Sequence, residues 1–158
     1  MEQIFSKLKL TTNGEGFTDI TDDLNLFIQK SNFDSGIFNL TSLHTSCSLT
    51  INENADPNVL RDLKKYMQSI VPYHCYSSLS KESQLIYYEH FQEGEDDMPA
   101  HIKTALTNTN LSLSFQKGKI VLGTWQAIYL WEHRFIRKER SINVHIIGEK
   151  NSKIYNDI

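Results

Sequence analysis

The sequence has few of the features that mark membrane, secreted or redox proteins. Its apolar runs, such as Ile120–Leu122 and Ala127–Trp131, are far too short to cross a bilayer. The N-terminal residues show no basic segment followed by an apolar one, so we expect no secretory signal. The two cysteines, Cys47 and Cys75, match no metal-binding or redox spacing. A reducing cytoplasm is therefore the expected location, and no membrane partner is expected.

Excess charge and the common catalytic motifs are also missing. A net charge of -3 and a pI near 6.0 give no reason to expect nucleic acid as a partner. The sequence contains no P-loop, Rossmann fingerprint, nucleophile elbow or zinc-ribbon pattern. The content of 39% hydrophobic and 22% charged residues is typical of a chain with a folded core. The length of 158 residues predicts a single domain over 1–158.

The spacing of apolar residues changes along the chain between helical and strand periods. Helical spacing and capping residues predict three helices: one capped by Thr21 or Asp22, one that begins at Pro57 after the cap Asp56, and one with a capped start at Asp97. The segment Tyr73–Glu82 is polar and is expected to be irregular. The mixed order of elements predicts an α+β fold rather than a doubly wound sheet. The predicted strands are Leu8–Thr12, Gly36–Leu43, Cys47–Asn52, Gln84–His90, Leu111–Phe115, Lys119–Gly123, Gln126–Trp131 and Ser141–Ile147.

The segment from His44 to Asp56 is polar along one face of its predicted strand. An ordinary half-exposed strand gives this pattern, and so does a polar wall in a cleft or a subunit interface. Glu53 lies in the turn between strand and helix, where side chains often meet ligands. The side chains that share the polar face are His44, Ser48, Thr50 and Asn52.

The segment Glu93–Lys103 places acids in front of a predicted helix. The helix dipole by itself favours carboxylates such as that of Asp96 at this position. Asp97 and His101, however, are four residues apart and therefore lie on one helical face. Such a pair can share a metal ion, or the carboxylate can orient the imidazole ring. His90, which follows an acid in the sequence, is a further candidate ligand.

The segment Gly123–Arg134 combines aromatic residues with a charged end. The aromatic residues alternate with apolar ones, which is typical of a strand packed on both sides or of a subunit contact. The final Glu132, His133 and Arg134 are harder to explain by packing. A carboxylate, an imidazole and a guanidinium together suit a metal or phosphate site.

These three segments together resemble the YjbQ family. The first is His44–Pro57, with the sequence HTSCSLTINENADP. The second is Glu93–Lys103, with the sequence EGEDDMPAHIK, and the third is Gly123–Arg134, with the sequence GTWQAIYLWEHR. The motifs are long, they occur in the family's order, and the similarity extends over nearly the whole chain.

The sequence departs from the family pattern at three places. Cys47 stands where the family usually has a small residue such as alanine. The segment Tyr73–Tyr87 is longer than usual, and Phe135–Glu139 replaces a turn that typically contains glycine. These departures remove no candidate site residue, but the long segment can reshape access to the site.

The resemblance implies a fold, an assembly and an activity. The implied fold is a YjbQ-like α+β domain with a curved, partly barrel-like, mainly antiparallel sheet and a few helices. The implied assembly is a homotrimer with sites near the subunit interfaces. The implied activity is that of a secondary thiamine-phosphate synthase, which joins a hydroxymethylpyrimidine pyrophosphate to a thiazole phosphate and releases pyrophosphate. The native substrate of the family can differ from these compounds.

The predicted centre is a divalent metal held by histidines from the three motifs. We expect His44, His101 and His133 to converge on one ion, with Asp97 as a fourth ligand or as a partner that orients one. Zinc, magnesium and manganese are the candidate ions. The alternative is that the histidines hydrogen-bond to acids at a subunit interface and bind nothing, or bind an anion when protonated.

The remaining predicted roles concern the substrate, a phosphorylated small molecule. We expect Arg134 and Lys103 to lie near phosphate, because a departing pyrophosphate needs cations to balance its charge. The predicted role of Arg134 is catalytic, and that of Lys103 is substrate binding. The alternative function is a non-catalytic trimer that binds a metal or a metabolite. The other assignments are substrate contact by Asn52 and by Trp125 or Tyr129, and acid–base chemistry by Glu53 and Asp96.

Overall fold

The computed structural model describes residues 1–78, 80 and 84–151, and it contains three helices and ten strands within these ranges. The helices are α1 (Thr21–Lys30), α2 (Pro57–Ile70) and α3 (Asp97–Leu106). The strands are β1 (Glu2–Thr11), β2 (Gly16–Asp19), β3 (Phe33–Ser42), β4 (Cys47–Glu53), β5 (Cys75–Ser77), β6 (Leu85–Tyr87), β7 (Asn110–Gln116), β8 (Lys119–Ile120), β9 (Gln126–Glu132) and β10 (Glu139–Lys150).

The strands form two larger sheets and one short hairpin. The first sheet has the order β1-β10-β3-β7-β8, the second has the order β2-β9-β4, and β5 pairs with β6. Every pairing of named strands in the described residues is antiparallel. An isolated bridge from Leu49 to Asn108 ties β4 to the residues before β7, so the sheets curl around a shared core. The predicted α+β fold with a curved, mainly antiparallel sheet is therefore confirmed.

The core lies between the inner faces of the two larger sheets and is closed by α1. Alternate residues of β3 and β10 point inward, as the twofold period of a strand requires. Burial of each large aliphatic or aromatic side chain stabilises the fold by roughly 1.5–3 kcal/mol. The buried residues that form this core include Leu24, Ile28, Phe38, Leu40, Leu49, Ile128, Leu130, Ile142, Val144 and Ile146.

Strand β9 is covered on both of its faces. Ile128 and Leu130 point into the core, while Trp131 lies on the opposite face and is also buried. Phe17 of β2 stacks on Trp131 with ring centroids 4.5 Å apart. The prediction of a strand packed on both sides is therefore confirmed. Ser48 pairs with Trp131 across the sheet and is fully buried, whereas Thr50 and Asn52 on the same face are half-buried.

The N-terminus of α2 is the predicted one, whereas that of α1 differs in detail. Asp56 Oδ1 accepts a 2.8 Å hydrogen bond from the Asn58 N–H, so Asp56 is the N-cap. In α1 the cap position is Ile20, and Asp19 Oδ1 accepts the Thr21 N–H at 2.8 Å. The expected capping by Thr21 or Asp22 was wrong because a residue outside the helix supplies the acceptor.

Of the helices described, none has the length and apolar character needed to span a membrane.

The segment expected to be irregular contains a short strand. Cys75–Ser77 forms β5 and pairs with β6, with Cys75 opposite Tyr87. The predicted strand Gln84–His90 corresponds to β6, which is shorter. Three residues are too few to show an alternating pattern, so β5 depends on its partner strand. The rest of the predicted irregular segment includes residues 79, 81 and 82, which lie outside the described residues.

Candidate functional site

Three side chains with metal-binding atoms meet at the start of α3. One ligand atom from each of His90, Asp97 and His101 lies within 4.8 Å of the other two. His90 Nε2 is 2.7 Å from Asp97 Oδ2, and His101 Nε2 is 3.7 Å from the same oxygen. The Asp97 side chain is 3% exposed, whereas those of His90 and His101 are 50% and 32% exposed. These three residues, here called the metal-binding group because their atoms could hold an ion, are therefore anchored from inside and open to solvent on one side.

The hydrogen bond of His101 to the backbone sets the position of its ring proton. Nδ1 lies 2.9 Å from the Thr45 carbonyl oxygen, which can only accept, so Nδ1 carries the proton. Nε2 then keeps its lone pair on the side of Asp97. Metal-binding histidines are commonly oriented in this way by a carbonyl behind the ring. His90 Nε2 donates to Asp97, so metal binding through this nitrogen requires the release of its proton.

Arg134 holds the other side of the Asp97 carboxylate. Its Nη1 pairs with Asp97 Oδ1, its Nε donates to Asp96 Oδ2 at 3.0 Å, and its Nη2 donates to the Glu93 carbonyl at 2.7 Å. Burial by itself would raise the pKa of Asp96. Hydrogen bonds from the Phe135 N–H and from Arg134 outweigh burial and hold that pKa below its usual value. Arg134 therefore fixes the loop in front of α3 and directs Asp97 Oδ2 towards the two imidazoles.

Lys103 is the second predicted phosphate-binding cation, and it is also paired inside the chain. Its ammonium is fully buried, 2.6 Å from Glu15 Oε1 and 3.2 Å from the Tyr73 hydroxyl. Burial and the nearby Glu15 carboxylate raise the pKa of Tyr73, so its hydroxyl stays protonated. Both Lys103 and Arg134 thus have their charges balanced by carboxylates of the same chain. This arrangement differs from the expectation that they face a phosphate.

His133 lies outside the metal-binding group. It is fully buried, and its Nε2 is 2.9 Å from Ser48 Oγ. Its Nδ1 has no hydrogen-bond partner in the part of the chain that the structure describes. Burial, with smaller contributions from Lys103 and Arg140, lowers the pKa of His133 to about 3. The ring is therefore neutral and enclosed by packing.

His44 lies near His101 but has a different hydrogen-bond partner. Its Nε2 accepts the Ser141 N–H at 2.9 Å, and the two histidines line the same cleft. Burial and the charge of Arg140 lower the pKa of His44. The charge of Glu132 acts in the opposite direction and offsets only part of this decrease. The predicted metal centre is therefore revised, with Asp97 and His101 retained. His90 takes the places of His44 and His133, because the chain segment before α3 brings its ring against Asp97.

Glu132 has a structural partner that the sequence did not indicate. Arg140 Nε lies 2.7 Å from Glu132 Oε2, and its Nη2 lies 2.5 Å from Oε1. Thr12 donates to Oε2 at 2.8 Å, and Arg140 also donates to Ser46 Oγ at 3.0 Å. The eight-residue separation of Glu132 and Arg140 has no signature in the sequence, because a turn and a second strand bring them together.

Three predicted site residues lie at the opposite end of β9 from the metal-binding group, namely Asn52, Glu53 and Trp125. Asn52 Oδ1 accepts the Glu53 N–H at 2.8 Å, and Glu53 Oε1 accepts the Asp56 N–H at 3.1 Å. Trp125 is 65% exposed in the residues before β9. Since a strand rises about 3.3 Å per residue, the length of β9 places this end roughly 20 Å from Glu132. One chain therefore does not bring Asn52, Glu53 and Trp125 to Asp97.

Two cavities adjoin the metal-binding group on different sides. The first, here called the hydroxyl cleft, has a volume of about 830 Å³ and shares His101 with the group. The second, here called the aromatic cavity, has a volume of about 550 Å³ and shares His90 with the group. The hydroxyl cleft is lined by Ser42, Leu43, His44, Thr45, Ser46, His101, Thr104, Ala105, Thr107 and Thr109. The aromatic cavity is lined by His74, Tyr87, Tyr88, His90, Phe91 and Glu95.

Comparison with known proteins finds one matching family and several similar relatives. The family described as "UPF0047 protein YjbQ-like" matches residues 6–149. The UPF0047 protein YjbQ of Escherichia coli O157:H7 is 39% identical over 143 residues, which are 90% of this chain and 96% of that protein. The UPF0047 protein sll1880 of Synechocystis is 38% identical over 142 residues, which are 90% of each protein.

Solved structures of similar proteins have the same fold. An uncharacterized conserved protein of the yjbq/upf0047 family from Clostridium acetobutylicum superposes with a TM-score of 0.72 at 33% identity. The alignment covers 91% of this chain and 99% of that one. A conserved hypothetical protein from Thermus thermophilus gives a TM-score of 0.73 at 30% identity, covering 90% of this chain and 99% of that one.

Proposed function

The chain belongs to the UPF0047 protein YjbQ-like family, and from its metal-binding group we propose that it is a divalent-metal-dependent enzyme of phosphate-bearing small molecules. The candidate reaction is thiamine-phosphate synthesis, which the family resemblance suggests. The observation that carries the proposal is the convergence of His90, Asp97 and His101 on one point at the mouth of two cavities. Three protein ligands with an open side are typical of catalytic rather than structural metal sites.

The kinds of ligand restrict the metal. Two imidazoles and one carboxylate suit zinc, manganese or ferrous iron. Magnesium is disfavoured among the predicted ions because it prefers oxygen ligands and keeps much of its water. Arg134 supports the site by holding Asp97 Oδ1, which leaves Oδ2 for the ion. The charge of Arg134 does not repel a cation overall, because Asp96 and Asp97 together exceed it.

The proposed reaction needs charge stabilisation more than proton transfer. A carbon–oxygen bond to pyrophosphate breaks, and the leaving group takes the electron pair, so negative charge builds on its oxygens. The thiazole nitrogen that forms the new bond carries no proton, so a general base is not required. This agrees with Asp96, whose pKa is held low and whose carboxylate is paired with Arg134. A divalent metal held by His90, Asp97 and His101 would supply positive charge for pyrophosphate, since Lys103 and Arg134 are already paired.

The test measures metal content and product formation on protein purified without a histidine tag. We expect about one zinc or manganese ion per chain, and its loss in His90→Ala and His101→Ala. His145→Ala is the matched control, because His145 lies on β10 and contacts Phe5 and Gln3. Metal-loaded protein should convert the two precursors, and chelation should stop turnover. Equal metal content in wild type and both variants would show that the ligands are wrong. No product at high concentration of loaded enzyme would eliminate the reaction.

A second candidate is a trimer that binds a metal or metabolite without catalysis. The pairing of Lys103 and Arg134 within the chain favours it, because neither cation is available to a substrate. Thermal-shift measurements against metals and phosphorylated metabolites separate the two functions. Stabilisation by a metabolite that is recovered unchanged supports binding alone, whereas turnover eliminates this candidate.

The proposed assembly is a homotrimer in the cytoplasm. Tyr66 and Ile70 on the apolar side of α2 are 67% and 50% exposed, which supports burial of this side in an assembly. The free thiols Cys47 and Cys75 suit a reducing compartment. Sedimentation equilibrium should give three times the chain mass of 18.3 kDa. A mass of 18.3 kDa at micromolar concentration would contradict the trimer.

A further inference from the structure

We propose that the hydroxyl cleft binds the phosphate group of the substrate, beside the metal-binding group that it shares through His101. This inference rests on the proposed function, because it specifies where a phosphorylated small molecule lies relative to the metal. The volume of about 830 Å³ lies within the range typical of small-molecule sites. The cleft presents hydrogen-bond donors from a loop and from α3.

Two of these donors are identified by the hydrogen bonds on their other sides. His44 Nε2 accepts the Ser141 N–H, so the ring proton lies on Nδ1, which can donate to a ligand. Ser46 Oγ accepts from Arg140 Nη2 at 3.0 Å, so the hydroxyl proton of Ser46 is free to point elsewhere. Both residues come from the loop between β3 and β4, at the entrance to the cleft. The cleft therefore offers an imidazole N–H and a hydroxyl from the same loop.

Thr104 provides the observation that points most directly to a ligand. It lies on α3, lines the cleft and is 6% exposed. Its Oγ1 is buried and has no hydrogen-bond partner in the described residues. A buried hydroxyl without a partner costs free energy, and native proteins rarely keep one. Threonine in a helix has two accessible rotamers, so this hydroxyl can turn to meet a ligand in the cleft.

The described side chains that line the cleft suit an oxyanion better than a cation or an amine, because they offer hydrogen-bond donors and no carboxylate. None of the described residues that line the cleft is an acid, a lysine or an arginine. A ligand with several oxygens in different directions can accept from His44, Ser46 and Thr104 at once. Phosphate has this shape, and a metal ion held by the adjacent His90, Asp97 and His101 would reduce the cost of its charge. A carboxylate has two oxygens in one plane, so it meets donors in fewer directions than phosphate does.

The test is a titration of zinc-loaded protein, after removal of free zinc, with three probes by calorimetry. The probes are inorganic phosphate, thiazole phosphate and the corresponding thiazole alcohol. We expect the two phosphates to bind and the alcohol to bind at least tenfold more weakly. Thr104→Val and Ser46→Ala should each weaken phosphate binding by about tenfold, since each removes one donor to a charged acceptor. Thr104→Ser, which keeps the hydroxyl, should bind almost as wild type does.

Thr104→Val also has a signature that a merely structural residue would not give. It should raise the melting temperature of the ligand-free protein by about 2–4 °C, because it removes a buried unpaired hydroxyl at nearly constant volume. The same variant should bind phosphate more weakly. Ser112→Ala is the control, because Ser112 is an exposed residue of β7 that does not line the cleft.

The outcomes separate this inference from the proposed function. Unchanged phosphate binding in Thr104→Val and Ser46→Ala, with zinc still bound, would overturn the cleft and leave the metal site intact. Equal binding of the alcohol and the phosphate, or no phosphate binding by zinc-loaded protein, would also overturn it. If neither zinc nor manganese nor ferrous iron binds, the proposed function fails. In that case the metal-free wild type and Thr104→Val are titrated with phosphate. Weaker binding by the variant supports the cleft as the phosphate site, and equal binding overturns it.

Discussion

Arg134→Met is the substitution that best separates a structural from a catalytic role at this site. The Arg134 guanidinium is buried and pairs with Asp96 at 3.0 Å and with Asp97. At an effective dielectric constant near 20, two unit charges about 3 Å apart attract by roughly 5 kcal/mol. Desolvation offsets part of this attraction in the native protein. Methionine leaves two carboxylates buried without their cation, and this typically costs about 3–5 kcal/mol.

The expected loss is a large part of the total stability. Domains of this kind have free energies of unfolding of about 5–15 kcal/mol. A loss of 3–5 kcal/mol lowers the melting temperature by roughly 6–20 °C for a chain of this length. Urea unfolding followed by circular dichroism and tryptophan fluorescence measures it. The matched control is Arg137→Met, because the exposed Arg137 lies three residues away, and its effect should be within about 0.5 kcal/mol.

A second variant tests the cause of the loss. Arg134→Met combined with Asp96→Asn should recover part of the stability, because it removes one of the two unpaired buried carboxylates. If Arg134→Met changes the free energy of unfolding by less than 1 kcal/mol, the reasoning from the buried ion pairs is refuted. If that stable variant also loses turnover, the catalytic role expected from the sequence is favoured instead.

Three further predictions concern other parts of the molecule. Because the pKa of His133 is about 3 in the folded protein and near 6.5 when unfolded, stability should fall as pH drops from about 6.5 towards 3, by at most about 1.4 kcal/mol per pH unit. His133→Gln should flatten this slope in urea midpoints measured at several pH values, and equal slopes would assign it to another group. Tyr73→Phe removes the hydroxyl that donates to Glu15, and it should lower the free energy of unfolding by about 1–2 kcal/mol; an unchanged urea midpoint would contradict this. Trp125→Ala should leave both the zinc affinity and the urea midpoint unchanged, because the indole is exposed and remote from the site. Loss of zinc from this variant would contradict that placement.

The elements predicted best are those whose signals are local. The cap at Asp56 and the apolar spacing of α2 lie within one turn or one helix, and both the start and the type of this element are as expected. In β9 aromatic residues alternate with aliphatic ones, and the structure buries both faces of the strand as expected. The strands β2 and β5 have four and three residues, and neither was predicted. Such short segments become strands through their partners.

The candidate site was predicted in part for the same reason. Asp97 and His101 share a helical face, so their proximity follows from the helical repeat. His44 and His133 have comparable motifs in the sequence, but the fold gives each a different partner, Ser141 and Ser48. His90 has the weakest motif, and it joins Asp97 because the chain turns back before α3. The contacts that distinguish these histidines are not local.

The sequence by itself determined the fold class, the family and the helical pair at the centre of the site, because periodicity, capping and long motifs can be read along the chain. Only the tertiary structure decided which charges are free and which are paired. Lys103 meets Glu15 across 88 residues, and Arg134 meets Asp96 across 38. Burial then makes each of these pairs obligatory, since an unpaired charge in the interior costs several kcal/mol. Whether a cation faces a ligand or a neighbouring carboxylate therefore depends on contacts that no local pattern encodes.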